Sequence, residues 1–213
     1  RLGKGVETMT FWEKLVASVI KRDSLLCVGL DPRSDRLQGH RGVADLNKAI
    51  IDATADLACL YKPNIAFYEA MGDAGLQALR ETLDYIPDDV PVLLDAKRND
   101  IAATVDAYAQ AVFDVWGVDA VTVNPYLGRD GVDAFLRYAD RGVFVLCKTS
   151  NPSSGELQDL LYRGEPLYRH VARLAVSWGG DGPIGLVTGA TYPEALADIR
   201  ADAPEAGLLV PGV

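Results

Sequence analysis

The sequence predicts an α/β fold of repeated strand–helix units, a (β/α)8 (TIM) barrel, on three observations. Short apolar runs alternate with longer segments of helical period. The runs at 25–30 and 143–147 are continuously apolar, the pattern of parallel strands buried on both faces and covered by helices. Polar residues gather directly after the runs, at Asp31, at Asp95 and Lys97, at Asn124, and at 148–151 and 188–191. In such a barrel these strand ends converge on one mouth, where catalytic residues belong. A doubly wound sheet would also place a site at strand ends, around a switch point. Against it, the first strand ends in Gly29-Leu30-Asp31-Pro32 and lacks GxGxxG.

Residues 1–9 show no periodicity and read as an arm, a tag or an upstream segment before or at Met9, with 10–213 as one domain. Thr10 and Glu13 form a capping box that opens a helix reaching Arg22. Strands are expected at 25–30, 61–67, 90–95, 120–124, 142–148, 183–187 and 208–210. A helix at 43–60 carries one apolar stripe, Val43, Leu46, Ile50, Ala53, Leu57 and Leu60. Another, at 101–116, is opened by Asp100 and turns Val105, Tyr108, Ala109, Val112 and Phe113 to the core. A closed barrel of this kind has eight strands and only seven are present. The protein is therefore expected to continue past Val213 with a loop, a helix and an eighth strand, the barrel being incomplete after strand 7, since a seven-strand remnant would expose two edges.

With 49% apolar residues among 213, the chain can bury a substantial core. Its net charge of −9 argues against a general nucleic-acid binder, so an anionic substrate would need a locally basic pocket. No run of about 18 apolar residues spans a membrane. Cys27, Cys59 and Cys147 are far apart and read as reduced packing residues of a cytoplasmic protein. His40 and His170 do not suggest a histidine-rich metal site. Trp12, Trp116 and Trp178 lie in or near helices and read as packing residues. The segments 149–155 and 189–193 read first as loops and turns rather than as a lid.

The chemistry concentrates in Asp95-Ala96-Lys97-Arg98-Asn99-Asp100. The two-residue period of a strand puts Asp95 and Lys97 on one face. Carboxylates flanking an ammonium favour its charged form, as a cationic clamp or proton donor requires. A strand-end salt bridge with Asp100 complementing a helix dipole explains the same residues, and the motif alone does not choose. Lys62 adds weight: a lysine in the mostly apolar second strand needs a carboxylate nearby, Asp95 or Asp31, unless it stays solvated at an exposed strand start.

Six segments in order resemble the orotidine 5′-phosphate decarboxylase family, in its longer bacterial and archaeal branch. They are 29–33 (GLDPR), 61–69 (YKPNIAFYE), 95–101 (DAKRNDI), 123–128 (VNPYLG), 147–152 (CKTSNP) and 210–213 (VPGV). The resemblance implies a homodimeric TIM barrel that converts orotidine 5′-phosphate to UMP with no metal or organic cofactor. It implies a catalytic tetrad of Lys62, Asp95, Lys97 and Asp100, with Asp100 and Thr104 serving the partner subunit's site. Asp31 and Lys62 would hold the ribose, Ser150 the pyrimidine, and Leu146, Val187 and Pro211 would line the substrate pocket. The family's phosphate-binding glutamine and arginine follow the Pro-Gly-Val segment and are expected past Val213. Two alternatives remain at this point: a Mg²⁺-dependent sugar-phosphate enzyme of the same superfamily, whose metal-binding glutamate stands where this chain has Lys62, and a non-catalytic nucleotide-binding barrel.

Overall fold

In the computed structural model, which describes residues 9–33, 42–180 and 182–212, the alternation of apolar runs and helical segments becomes parallel strands separated by helices. The segment 1–8, His40 and Val213 lie outside the described residues. The chain forms two units: Arg1–Asp95 with Trp116–Ala120 and Ala139–Arg141, and Ala96–Val115 with Val121–Tyr138 and Gly142–Val213. Among the described residues no helix is long and apolar enough to cross a membrane.

The first unit starts at α1 (Phe11–Arg22), whose capping box forms as its sequence requires: Glu13 N donates to Thr10 Oγ1 at 3.3 Å and Thr10 N to Glu13 Oε2 at 2.8 Å. Asp23 closes the helix in the left-handed conformation at φ 47°. Trp12 packs edge-on against Phe11, and the Arg80 guanidinium stacks over Trp116. Next, β1 (Leu26–Leu30) pairs in parallel with β2 (Ala58–Pro63). Parallel bridges from Tyr61 to Val92 and from Asn64 to Asp95 extend the pairing toward β3 (Leu93–Arg98).

Two expectations change in this unit. The second helix, α2, runs only Val43–Thr54, and Ala58 to Leu60 belong to β2. Its buried row is Val43, Asn47 and Ile51, while Leu57 is 50% exposed. Asn47 is buried in a polar cluster that an apolar-stripe reading passes over: its side-chain amide donates to Tyr68 OH at 2.9 Å and to Thr82 Oγ1 at 2.8 Å. Residues 65–67, expected in a strand, are helical in α3 (Ile65–Glu69), where Asn64 Oδ1 accepts from Ala66 N and caps a new helix. Helix α4 (Gly72–Tyr85) then leads to β3. β1 is not buried on both faces: Leu26 and the preceding Leu25 are exposed, and among the described residues β2 is its sheet partner.

In the second unit, the end of β3 leads to α5 (Ala102–Gln110), which passes into a π-helical turn at Ala111–Val115. Val105, Ala109, Val112 and Phe113 are buried as their spacing predicts. β4 (Ala120–Val123) and the short α6 (Asp133–Leu136) precede β5 (Gly142–Lys148), a strand buried at all positions but Leu146. After α7 (Gly155–Gln158), the antiparallel hairpin β6 (Leu161–Tyr162) and β7 (Glu165–Pro166) turns at Arg163 and Gly164, both at positive φ. The sequence reading missed this hairpin, since its strands have two residues each and only Gly164 marks the turn. Helix α8 (Leu167–Gly179), β8 (Gly185–Thr188), α9 (Pro193–Asp202) and β9 (Gly207–Leu209) complete the unit. The sheet order is β3-β4-β5-β8-β9, with β5, β8 and β9 parallel in register.

Candidate active site

In the first unit, the β1–β2 register sets Gly29 opposite Lys62 and Leu30 opposite Pro63, so the strands' carboxyl ends present Asp31 and Lys62 together. Lys62 Nζ lies 3.6 Å from Asp95 Oδ2, and the two side chains are only 15% and 11% exposed. The carboxylate expected beside Lys62 is therefore Asp95. Asn64, which the sequence reading did not single out, ties the group together. Its backbone N–H donates to Asp31 Oδ1 at 3.1 Å and its side-chain Nδ2 to Asp95 Oδ2 at 3.4 Å, while its Oδ1 caps α3. The available signal was an asparagine between a strand and a helix, a capping position. Tyr68 OH donates to Leu30 O at 2.8 Å and holds the end of β1 just before Asp31. Burial pushes the nearby Cys27 thiol up to about 12; Lys62 opposes this, while Cys59, Asp31 and Asp95 add to it. Cys27 is thus a thiol rather than a nucleophilic thiolate at neutral pH.

In the second unit, Lys97 is exposed and stands at φ 46°, a left-handed conformation that non-glycine residues seldom take. The strand's simple alternation therefore stops there. Ala96 N and Lys97 N both donate to Thr122 Oγ1, each at 3.0 Å. Beyond the kink the ladder resumes, with Asn124 N donating to Arg98 O at 3.0 Å. The Asn99 amide donates to the Asn124 carbonyl. Asp100 does not cap the next helix, contrary to expectation: its carboxylate accepts from the adjacent Ile101 N at 2.8 Å, and α5 starts at Ala102 without a side-chain cap. Thr104 is exposed in the first turn of α5.

The same unit gathers four other expected residues. Leu146 of β5 and Val187 of β8 are register partners. Ser150, just past β5, packs so closely on Gly189 that a Cβ there would lie 2.7 Å from Ser150 Cα. Ala190 N donates to Pro211 O at 2.9 Å, and a Cβ on Gly212 would stand 3.5 Å from Ser150 Cβ. The segment after β5 is pinned as a loop by polar side chains. Lys148, 2% exposed, donates to Ser154 Oγ at 3.1 Å and Asp159 Oδ1 at 2.7 Å, with its ammonium 4.3 Å from the Tyr192 ring centroid. Thr149 N and the Gln158 side-chain carbonyl add a further tie at 2.9 Å. Among the described residues, no three His, Cys, Asp or Glu side chains are grouped to hold a metal ion.

Comparison with known proteins extends these findings. The family model for orotidine 5′-phosphate decarboxylase / HUMPS proteins matches residues 24–213. The chain is 50% identical over 210 residues to the orotidine 5′-phosphate decarboxylase of Herpetosiphon aurantiacus, covering 95% of this chain and 79% of that protein. Identity to the corresponding enzyme of Halorubrum lacusprofundi is 53% over 213 residues, covering 96% and 75%. The solved structure of Leishmania donovani OMP decarboxylase matches with a TM-score of 0.90 at 46% identity, covering 96% of this chain and 80% of that one. With parallel strands and intervening helices, these likenesses give the TIM-barrel class.

Proposed function

The chain belongs to the orotidine 5′-phosphate decarboxylase / HUMPS family, and on that basis we propose that it decarboxylates orotidine 5′-phosphate to UMP and CO₂ in pyrimidine biosynthesis, without metal or organic cofactor. The bond from C6 of the pyrimidine to its carboxylate breaks, CO₂ departs, and the electron pair stays on C6, where the ring π system cannot delocalise it. The Lys97 ammonium stabilises this charge as it develops and then donates its proton to form the C6–H bond. One such charge pair at ~4 Å and an effective dielectric of about 20 is worth about 4 kcal/mol. The remaining barrier reduction comes from the rest of the charged array, ring contacts and remote binding.

Lys62, Asp95, Lys97 and Asp100 work as an alternating tetrad in a homodimer, with Asp100 and Thr104 of the partner subunit completing each site. Asp31 and Lys62 hold the ribose, Ser150 the pyrimidine, and Leu146, Val187 and Pro211 form the apolar wall. The protein works in the cytoplasm. The observation that carries the reading is the Lys62–Asp95 pair, because the magnesium-dependent branch has a metal-binding glutamate in place of that lysine. The test is loss of orotidine 5′-phosphate absorbance with and without EDTA. Turnover that persists in EDTA is expected; loss of turnover in EDTA would favour the magnesium branch, and UMP binding with no turnover a non-catalytic nucleotide-binding barrel. Lys97→Ala should lower turnover by about a thousandfold or more while leaving the melting temperature unchanged.

A further inference from the structure

We infer that Thr122 is a positioning residue for the reaction, its hydroxyl fixing the backbone that carries Lys97. The inference rests on the role of Lys97 proposed above and extends it to a residue in another strand. In a regular strand successive N–H groups point to opposite sides. Here the N–H groups of two neighbours, Ala96 and Lys97, converge on one oxygen, Thr122 Oγ1, at 3.0 Å each. That convergence goes with the left-handed φ of Lys97, 46°. A β-strand lysine has no intrinsic preference for this conformation, so the surrounding structure must hold it. Thr122 is suited to do so: it is 1% exposed and is the one hydroxyl residue in β4, between Val121 and Val123.

The consequence is chemical. A cation that stabilises charge only as it appears must be aimed before the reaction begins, or the cost of orienting it adds to the barrier. The direction of the Lys97 side chain is set first by its Cα–Cβ bond, hence by the kink. With the Thr122 hydroxyl gone, the two N–H groups lose their shared acceptor and the segment relaxes toward an extended strand, turning the ammonium from its line. Substrate binding depends on residues elsewhere, so the damage falls on turnover.

The experiment compares Thr122→Val, which keeps the branched shape and loses the hydroxyl, with Thr122→Ser, which keeps the hydroxyl. For each, kcat and KM for orotidine 5′-phosphate, UMP affinity by calorimetry and the melting temperature are measured. The expected result is a fall in kcat of at least tenfold in Thr122→Val, about 1.4 kcal/mol in barrier. KM and UMP affinity should stay within about threefold, and Thr122→Ser should return kcat to within about threefold of the unaltered protein. Unchanged kcat in a folded Thr122→Val protein, or a loss confined to KM, overturns the inference. Should that variant not fold, Thr122→Cys decides. Its weakly accepting sulfur must lower kcat without loss of fold, and full turnover in that variant counts against the role. Lys97→Ala measured alongside separates the two levels: if it turns over normally the Lys97 reading fails, whereas an inactive Lys97→Ala with a fully active Thr122→Val removes only the positioning role.

Discussion

The Lys62 ammonium and the Asp95 carboxylate are both largely withdrawn from solvent, so each depends on the other for charge compensation. Lys62→Met should destabilise the protein by about 2 kcal/mol, read from the urea midpoint. That is below the range for a fully buried pair because some solvent access remains. The double variant Lys62→Met/Asp95→Asn should lose less than the sum of the two single losses. A purely additive result would mean that the two charges do not interact. The burial that raises the Cys27 thiol to about 12 yields a second expectation. Cys59 and Cys147 are buried and Cys27 is partly so, so a disulfide reagent at pH 8 should react slowly with the folded protein and release all three equivalents on unfolding. At this scale the sequence was legible where charge shows in a single letter, as with Lys62 in an apolar strand, whose need for a carboxylate Asp95 meets. Asn64 and Thr122 escaped because what distinguishes them is which distant groups they meet, the Asp31 and Asp95 carboxylates for one and two backbone N–H groups for the other, and composition carries no trace of that.

Helix α8 is clamped to the end of α9 by charge. Arg169 Nε and Arg173 Nη1 donate to Asp202 Oδ2 at 2.7 and 3.1 Å, and Arg169 also reaches Oδ1 at 3.0 Å. The hydrogen bond from Arg169 is the first cause holding the Asp202 carboxyl below its ordinary value of 3.8. A depressed folded pKa contributes stability above the unfolded value, and that contribution disappears as the pH falls through the folded one. Asp202→Asn should therefore be less stable than the unaltered protein by about 1 kcal/mol at pH 7, and the gap should close on acidification below pH 3.8. A gap that widened in acid would contradict the assignment. Between β8 and α9, Gly189 leaves no room for a side chain against the Ser150 backbone. Gly189→Ala should displace Ser150 and weaken UMP binding about tenfold, one contact's worth of affinity, in a calorimetric titration. Element boundaries were legible where capping or apolar runs were strong, as at α1 and β5. They slipped at α2, whose apolar spacing runs on into β2, and at α3, where a capping asparagine opens a helix within a strand-like run.

If Asp100 serves the partner subunit, two inactive proteins can repair each other. In a mixed dimer of Lys97→Ala with Asp100→Asn, one site would hold both defects and the other neither. Mixing the two after dissociation and reassembly should recover about a quarter of normal turnover, since half the dimers are mixed and each has one intact site. Recovery of no activity, with mixed dimers demonstrated, would place Asp100 in its own subunit's site. The sequence by itself determined the alternation of strands and helices and the strand ends where charge collects, because periodicity and charge are properties of the order of letters. The tertiary structure alone decided that Asp95 is the partner of Lys62, that Asn64 joins Asp31 to Asp95, and that the N–H groups of Ala96 and Lys97 meet at Thr122 Oγ1. Those are contacts between segments far apart in the chain, and a hydrogen bond's partner is fixed only when the backbone has folded to bring it within 3 to 4 Å.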